Sequence, residues 1–307
     1  MKKIISLILC ALILLSFAAC KINEDKKQSE KLNIVSTIFP QYDFARSISG
    51  DKAEVTMLIP AGTDSHSFEP TVSDILLINS CDIFIYTGGE SDSWIDTLLS
   101  DADNPDMKVI SLIECVDIHD THEDHNHNHN HSHIDEHVWT SPLNALAISE
   151  EILCAIKEKD PENSDYYEKQ FESLRNDLLL LHEDFKSIID NAKHKTFIFA
   201  DRFPLTHFTE EYGLNYYAAF SGCSEDTEPS AHTVAELIDK VREENLSSVL
   251  KIELSSGKIA ETISRETGAE IYTFYSCHNI SKDDLEKGET YLSLMKKNTE
   301  TLKVVLN

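Results

Sequence analysis

No two cysteines in this 307-residue chain stand at CxxC spacing. That absence removes the structural thiolate zinc sites built from such pairs. The chain has seven cysteines, at Cys10, Cys20, Cys81, Cys115, Cys154, Cys223 and Cys277. Cys10 falls inside the leader and Cys20 at its end, and the odd number left over cannot all pair as disulfides. Positive charge is scarce as well: 27 Lys and Arg stand against 54 Asp and Glu, a formal net charge of -27. Such a surface repels nucleic-acid phosphates, so nucleic acid is excluded as a partner, whereas plain solubility and attraction of cations both fit. Beyond the leader no apolar run approaches membrane length.

The leader itself begins with Lys2 and Lys3, followed by an apolar stretch from Ile4 to Phe17 that ends in FAAC. As a helix this stretch extends only about 21 Å, short of a hydrocarbon core of roughly 30 Å, so it reads as a secretory signal peptide over 1–19. Small residues before a cysteine match a bacterial lipobox, which makes Cys20 the lipidated first residue of the mature protein. Phe17 departs from that pattern, and an ordinary cleaved signal is the alternative. KINEDKKQSEK is polar and aperiodic and reads as a flexible tether within 20–32. The body is thus expected outside the cytoplasm, lipid-anchored to a bacterial membrane.

From about Asn33 onward the length suffices for two domains, each with its own core. Short β-type runs alternate with amphipathic helical patterns, the signature of α/β layers around parallel sheets. LNIVSTI, VTMLIP, DIFIYTG and MKVISL form a first set of strands; KTFIFA, LNYYAAF, SVLKIEL and AEIYTFY form a second. Between the sets, Tyr167, Phe171, Leu174, Leu178, Leu181, Phe185 and Ile188 recur at alternating steps of four and three. They mark the seam of one helix from Ser164 to about Asn191, roughly 40 Å long. Pro161 with Asn163 or Ser164 marks its start and NAKHK its end. The expected architecture is two α/β lobes with central sheets, over 33–160 and 193–307, joined by a spine helix within 161–192. Ligands then belong in the cleft between the lobes.

Eight of the 14 histidines lie between His119 and His137, in a run that includes HEDHNHNHNHSHIDEHVW. Neutral imidazole suits zinc, copper, nickel and iron far better than calcium or magnesium, so the run predicts a transition-metal role. Alternating His and Asn with acids cannot form a packed core, and such ligands are not preorganised. The loop over 119–136 is therefore expected to bind metal more weakly than a fixed site, as a sponge or a sensor of excess. An inert polar loop is the bland alternative. Three other placements are sharper. His66 in IPAGTDSHSFEPTVSDI lies where a strand empties into a loop, before a helix that Thr71 or Ser73 can cap. His137 lies where the chain returns to order, with Val138 and Trp139 as anchors before Pro142, and His278 follows the last strand in YTFYSCHNISKDD. A single loop histidine is more often solvated than ligating, but three at strand exits predict one convergent metal site. His182, His194 and His232 read as structural or solvated.

At GTDSHSFEPTVSD and DEHVWTSPLNA the sequence resembles a known family, the solute-binding lipoproteins of bacterial ABC importers for zinc and manganese. The two segments look like the family's first and second metal-histidine loops. HDTHEDHNHNHNHSH between them is similar to the His- and acid-rich loop of zinc-specific members, and YGL in EEYGLNYYAAF and YLSLMKKNTETL look like further landmarks. The resemblance covers nearly the whole mature chain. It implies two α/β lobes bridged by a long helix, metal held between them, and hand-over to an ABC permease. Zn2+ is preferred, since Mn2+ would favour more carboxylates. The family also places a third ligand, His or Glu, ten residues before the Tyr of YGL. That position here is Arg202, whose guanidinium cannot ligate. Asp201 or His207 can replace it, or Arg202 can pair with an acid such as Glu253. The family's final ligand is an aspartate just after the last strand; the corresponding stretch is SCHN, with His278 as the best substitute. Cys277 is an alternative, as a thiolate ligand or as disulfide partner of Cys223. The expected metal ligands are His66, His137 and His278, with Asp201, His207, Glu253, Cys277 or water in the fourth position.

Two alternatives come from other classes. HSHIDEH resembles the HxHxDH motif of metallohydrolases with one residue inserted, and such an enzyme would keep an open coordination position for water. HxH triplets, however, arise trivially in a His-Asn repeat, and Glu136 breaks the spacing. A surface adhesin is the other alternative, because related lipoproteins are sometimes described that way. The sequence favours a monomeric metal-binding receptor and not an enzyme.

Overall fold

The fold is that of a computed structural model, which describes residues 31–63, 68–89, 91–100, 102–116, 135–221 and 229–307. The signal peptide, Cys20, the tether as far as residue 30, His66, the His-rich loop through residue 134, and Cys223 lie outside the described residues.

Each expected run overlaps a strand. β1 (Leu32–Ser36), β2 (Ala53–Met57), β3 (Ile83–Tyr86) and β4 (Lys108–Ser111) make a parallel sheet in the order β2-β1-β3-β4. β5 (Thr196–Phe203), β6 (Asn215–Ser221), β7 (Ser248–Lys251) and β8 (Glu270–Thr273) make a second, in the order β6-β5-β7-β8. Parallel strands are covered on both faces, which is why their central runs are continuously apolar. The covering helices of the first half are α1 (Phe39–Ser49), α2 (Val72–Asn79), α3 (Ser93–Ser100) and α4 (Pro142–Lys159). The spine is α5 (Ser164–Asp190), and α6 (Thr206–Tyr212), α7 (Ala231–Glu243), α8 (Lys258–Thr267), α9 (Lys282–Glu286) and α10 (Tyr291–Val305) follow. Among the described residues no helix is long and apolar enough to cross a membrane.

Helix starts follow local chemistry. Thr71 caps α2 by accepting the Asp74 main-chain N–H, and Ser141 caps α4 by accepting that of Asn144, with Pro142 in the first turn. In α5 the seam residues Tyr167, Phe171, Leu174, Leu178, Leu181 and Phe185 are buried, but the next buried residue is Ile189 and not Ile188. A period of 3.5 drifts about 20° per turn pair against a straight helix of 3.6 residues per turn, so after three heptads the buried stripe passes to the neighbouring position.

Alternation along the strands sorts side chains into three cores. Ile34, Ile83, Phe197 and Phe199 face a central core shared with Leu178 and Phe185 of the spine and Leu294 and Leu302 of α10. Val35 and Phe84 point the other way, onto Ile78 of α2 and Ile95 of α3. Ile198 and Val249 likewise turn outward onto Leu237 and Val241 of α7 and Ile263 of α8. The two sheets therefore share one core through the spine. Their loops also meet directly. Gly62 N donates to Ile280 O at 2.8 Å, and Asn279 Nδ2 donates to Pro60 O at 3.0 Å and Thr63 O at 2.7 Å. The chain leaving β2 is thus tied to the chain leaving β8.

Candidate metal centre

His137 is fixed before any ligand arrives. It precedes a short 3-10 turn, Val138–Thr140, whose Val138 and Trp139 are fully buried. Its carbonyl accepts both the Thr140 hydroxyl at 2.8 Å and the Thr140 N–H at 3.1 Å. Two residues earlier, Asp135 Oδ1 accepts the His137 main-chain N–H at 2.9 Å and lies 2.7 Å from ring Nδ1. Burial works to raise the Asp135 carboxyl, but hydrogen bonds from the His137 ring, the Thr206 hydroxyl and the His137 main chain hold it below its usual range. An ionised carboxylate only accepts, so Nδ1 carries the proton and the lone pair sits on Nε2, the arrangement of a metal histidine backed by a carboxylate.

Glu136 faces elsewhere. It is buried, with Oε2 accepting the Ser91 N–H at 3.1 Å and Oε1 accepting the Ser91 hydroxyl. Gly89, at φ 89, lets the backbone pass so close that a Cβ there would sit 2.7 Å from Glu136 Oε2. The two acids of the HSHIDEH segment thus serve different sides of the chain, Asp135 orienting a histidine and Glu136 fastening the loop after β3.

His278 reaches the same place from β8. Its ring centroid lies 5.0 Å from that of His137, at 82°, and 5.1 Å from that of Trp139. Trp139 Nε1 donates to Ser276 O at 2.9 Å, and Tyr291 OH donates to Trp139 O at 2.6 Å, so the indole links the first half to the second. The structure therefore brings His137 and His278 together. His66 lies outside the described residues, but the backbone just before it, at Gly62 and Thr63, is the segment bonded to Ile280 and Asn279.

The candidates for a further ligand are engaged elsewhere to different degrees, and Asp201 keeps one buried oxygen, Oδ2, with no hydrogen-bond partner. His207 Nε2 lies 2.8 Å from Asp135 O. Asp201 Oδ1 accepts the Arg202 N–H at 2.9 Å, at an irregularity in β5 where register shifts between Phe199 and Arg202. Glu253 spends both oxygens on Ser276, at 2.8 and 2.9 Å, and burial pushes its carboxyl up to about 7. Cys277 is a fully buried thiol, and Cys223, its alternative disulfide partner, lies outside the described residues. Burial first, then the Glu253 and Asp43 charges, push that thiol well up, which disfavours the thiolate a metal needs. Among the described residues no three His, Cys, Asp or Glu side chains form a metal-binding group. Sequence reasoning missed Asp135, Ser276 and Tyr291. Only Asp135 left a signal, an acid two residues before a histidine.

Residues 34–305 match the family described as zinc-uptake complex component A, periplasmic. The zinc-binding lipoprotein AdcA of Streptococcus pneumoniae serotype 4 is 32% identical over 309 residues, covering 99% of this chain and 61% of that protein. The high-affinity zinc uptake system protein ZnuA of Bacillus subtilis is 32% identical over 312 residues, covering 98% of this chain and 97% of that one. Among solved structures, the Zn(II)-bound ZnuA-like domain of Streptococcus pneumoniae AdcA aligns with TM-score 0.76 and 30% identity, over 90% of this chain and 99% of that domain. The chain thus spans about three fifths of the length of AdcA but nearly all of ZnuA.

Proposed function

Since this chain belongs to the family of the periplasmic zinc-uptake complex component A, we propose that it is the extracytoplasmic receptor of an ABC importer, capturing Zn2+ and delivering it to a membrane permease. The observation that carries this reading is the His137–His278 pair at 5.0 Å, with Asp135 behind His137. Histidine nitrogens in that arrangement suit zinc, and His66 on the adjoining loop supplies a third, with the fourth position left to water or one further side chain. The ion is cargo: the protein performs no reaction on it and only holds and releases it. On this reading the signal peptide directs export, lipidation of Cys20 anchors a monomer to the membrane, and the lobes are residues 33–160 and 193–307.

The hydrolase alternative loses support because Asp135 and Glu136 are committed to His137 and Ser91. The adhesin alternative has no described residue that carries it. The test is metal stoichiometry by competition against a chromophoric chelator: the receptor reading expects one tight Zn2+ equivalent that His137→Ala removes. Retention of the tight equivalent in that variant overturns it. For the anchor, Cys20→Ala is expected to release the protein into the soluble extracytoplasmic fraction, and retention in the membrane counts against lipidation there.

A further inference from the structure

His278 sits on a turn that would not hold its shape unaided. Cys277, the residue before it, has φ 56, a left-handed conformation that is unfavourable for a residue with a Cβ and persists only where the surroundings over-determine it. The surroundings here are specific. From behind, Asn298 of α10 accepts the Tyr275 N–H at 2.7 Å and donates to Tyr275 O at 2.8 Å. From β7, Glu253 accepts the Ser276 N–H at 2.8 Å on one oxygen and the Ser276 hydroxyl at 2.9 Å on the other. Ser276 passes this constraint on in two directions. Its Oγ accepts the His278 N–H at 3.2 Å, and its carbonyl accepts Trp139 Nε1–H at 2.9 Å. Trp139 in turn packs against the rings of both His137 and His278. A carboxyl side chain fits this role because its two oxygens can each accept from one of the two donors that Ser276 presents.

We propose that Glu253 is a positioning residue of the zinc centre: by clamping Ser276 it fixes the turn that presents the His278 ring beside His137, and it does not itself ligate the ion. The inference rests on the zinc-receptor reading above, and it reassigns a residue that the sequence left as a candidate ligand. Both Glu253 oxygens are engaged by Ser276, whereas a ligating carboxylate would turn at least one toward the metal.

Zinc affinity of the mature chain is to be measured by chelator competition for wild type, His278→Ala, Glu253→Leu, Glu253→Gln and the His278→Ala/Glu253→Leu double variant, with a thermal melt of each metal-free protein. Glu253→Leu is expected to weaken zinc about ten- to a hundredfold, as for other residues that orient a ligand. In the His278→Ala background it should cost less than about threefold more, since both changes act through one imidazole and are therefore not additive. Glu253→Gln keeps one acceptor and should recover most of the affinity. Wild-type affinity in Glu253→Leu, or losses that add in the double variant, overturns the positioning role. An unaltered affinity in His278→Ala overturns the ligand reading itself, so the two failures are distinguishable. Should Glu253→Leu lack a cooperative melt, Ser276→Ala takes its place with the same non-additivity expected. Additive loss or wild-type affinity there overturns the proposal as well.

Discussion

At Asp135 a single carboxyl group takes the main-chain N–H and the ring of His137 together, so the imidazole is held in one tautomer and one orientation before metal arrives. His137→Ala is therefore expected to lower zinc affinity at least about tenfold, and Asp135→Ala, which leaves the ring in place but unoriented, about ten- to a hundredfold. Chelator competition checks both, and an Asp135→Ala variant that binds like wild type shows the ring to be held by packing alone. The meeting of His137 and His278 was legible because each follows a recognisable change of pattern. The partners were not, since Ser276 and Tyr291 act through hydrogen bonds across 137 and 152 residues of chain, as at Trp139, which no local pattern encodes. A second carboxyl gives a prediction of opposite sign to the usual acid. Asp92 accepts the Thr87 N–H at 2.8 Å and the Gly88 N–H at 3.3 Å, yet burial pushes it up to about 6, helped by the Glu136 charge. Its folded pKa lies above its ordinary value, so its contribution to stability is complete below about pH 4 and is lost as pH rises through about 6. Asp92→Asn keeps an acceptor for both N–H groups. It should match wild type in denaturant melts at pH 4 and exceed it by on the order of 2 kcal/mol at pH 7.5. An equal difference at both pH values contradicts the assignment.

Among the elements, the spine shows where periodicity is a sound guide and where it drifts. Its extent, Ser164–Asp190, was legible to within a residue because Pro161 and the apolar seam bracket it; its last buried contact was not, because a 3.5 repeat cannot stay on one face of a 27-residue straight helix. Leu178→Ala, in the shared core, is expected to cost about 2–5 kcal/mol in denaturant melts. Ile189→Ala should cost more than Ile188→Ala, since Ile189 is buried and Ile188 only half-buried. The reverse order sinks the assignment of the stripe. The His-rich loop lies at the other extreme, an element whose composition speaks of metal but gives no register. Deleting residues 120–132 is expected to remove weak zinc equivalents and leave the tight one, because a His-Asn repeat offers no one fixed set of ligands while His137 and His278 are already placed. Loss of the tight equivalent on deletion moves the primary site into the loop.

At the scale of the whole molecule, the sequence led to two lobes with metal held between them, and the packing limits how far they can move apart. Residues of both sheets, the spine and α10 belong to one buried core, and the loops after β2 and β8 are already joined through Gly62, Asn279 and Ile280. A core at crystal-like density does not deform continuously, so large lobe motion would have to break it. Zinc should therefore act as a staple more than as a hinge pin. By mass action, free zinc at a hundred times its dissociation constant stabilises the folded state by about 2.7 kcal/mol. For a unit of this size that is a rise in melting temperature of roughly 4–5 °C. Solution scattering, in contrast, should show the radius of gyration of the folded unit, about 19 Å for such a length, changing by less than about 1 Å. His278→Ala should leave the metal-free melt where it was and abolish most of the zinc-dependent rise, because the ion would then be held from the first half alone. A zinc-induced compaction of several ångströms would show that the shared core opens without metal. An undiminished rise in His278→Ala would place the second half's ligand elsewhere, with Asp201 and His207 next in line.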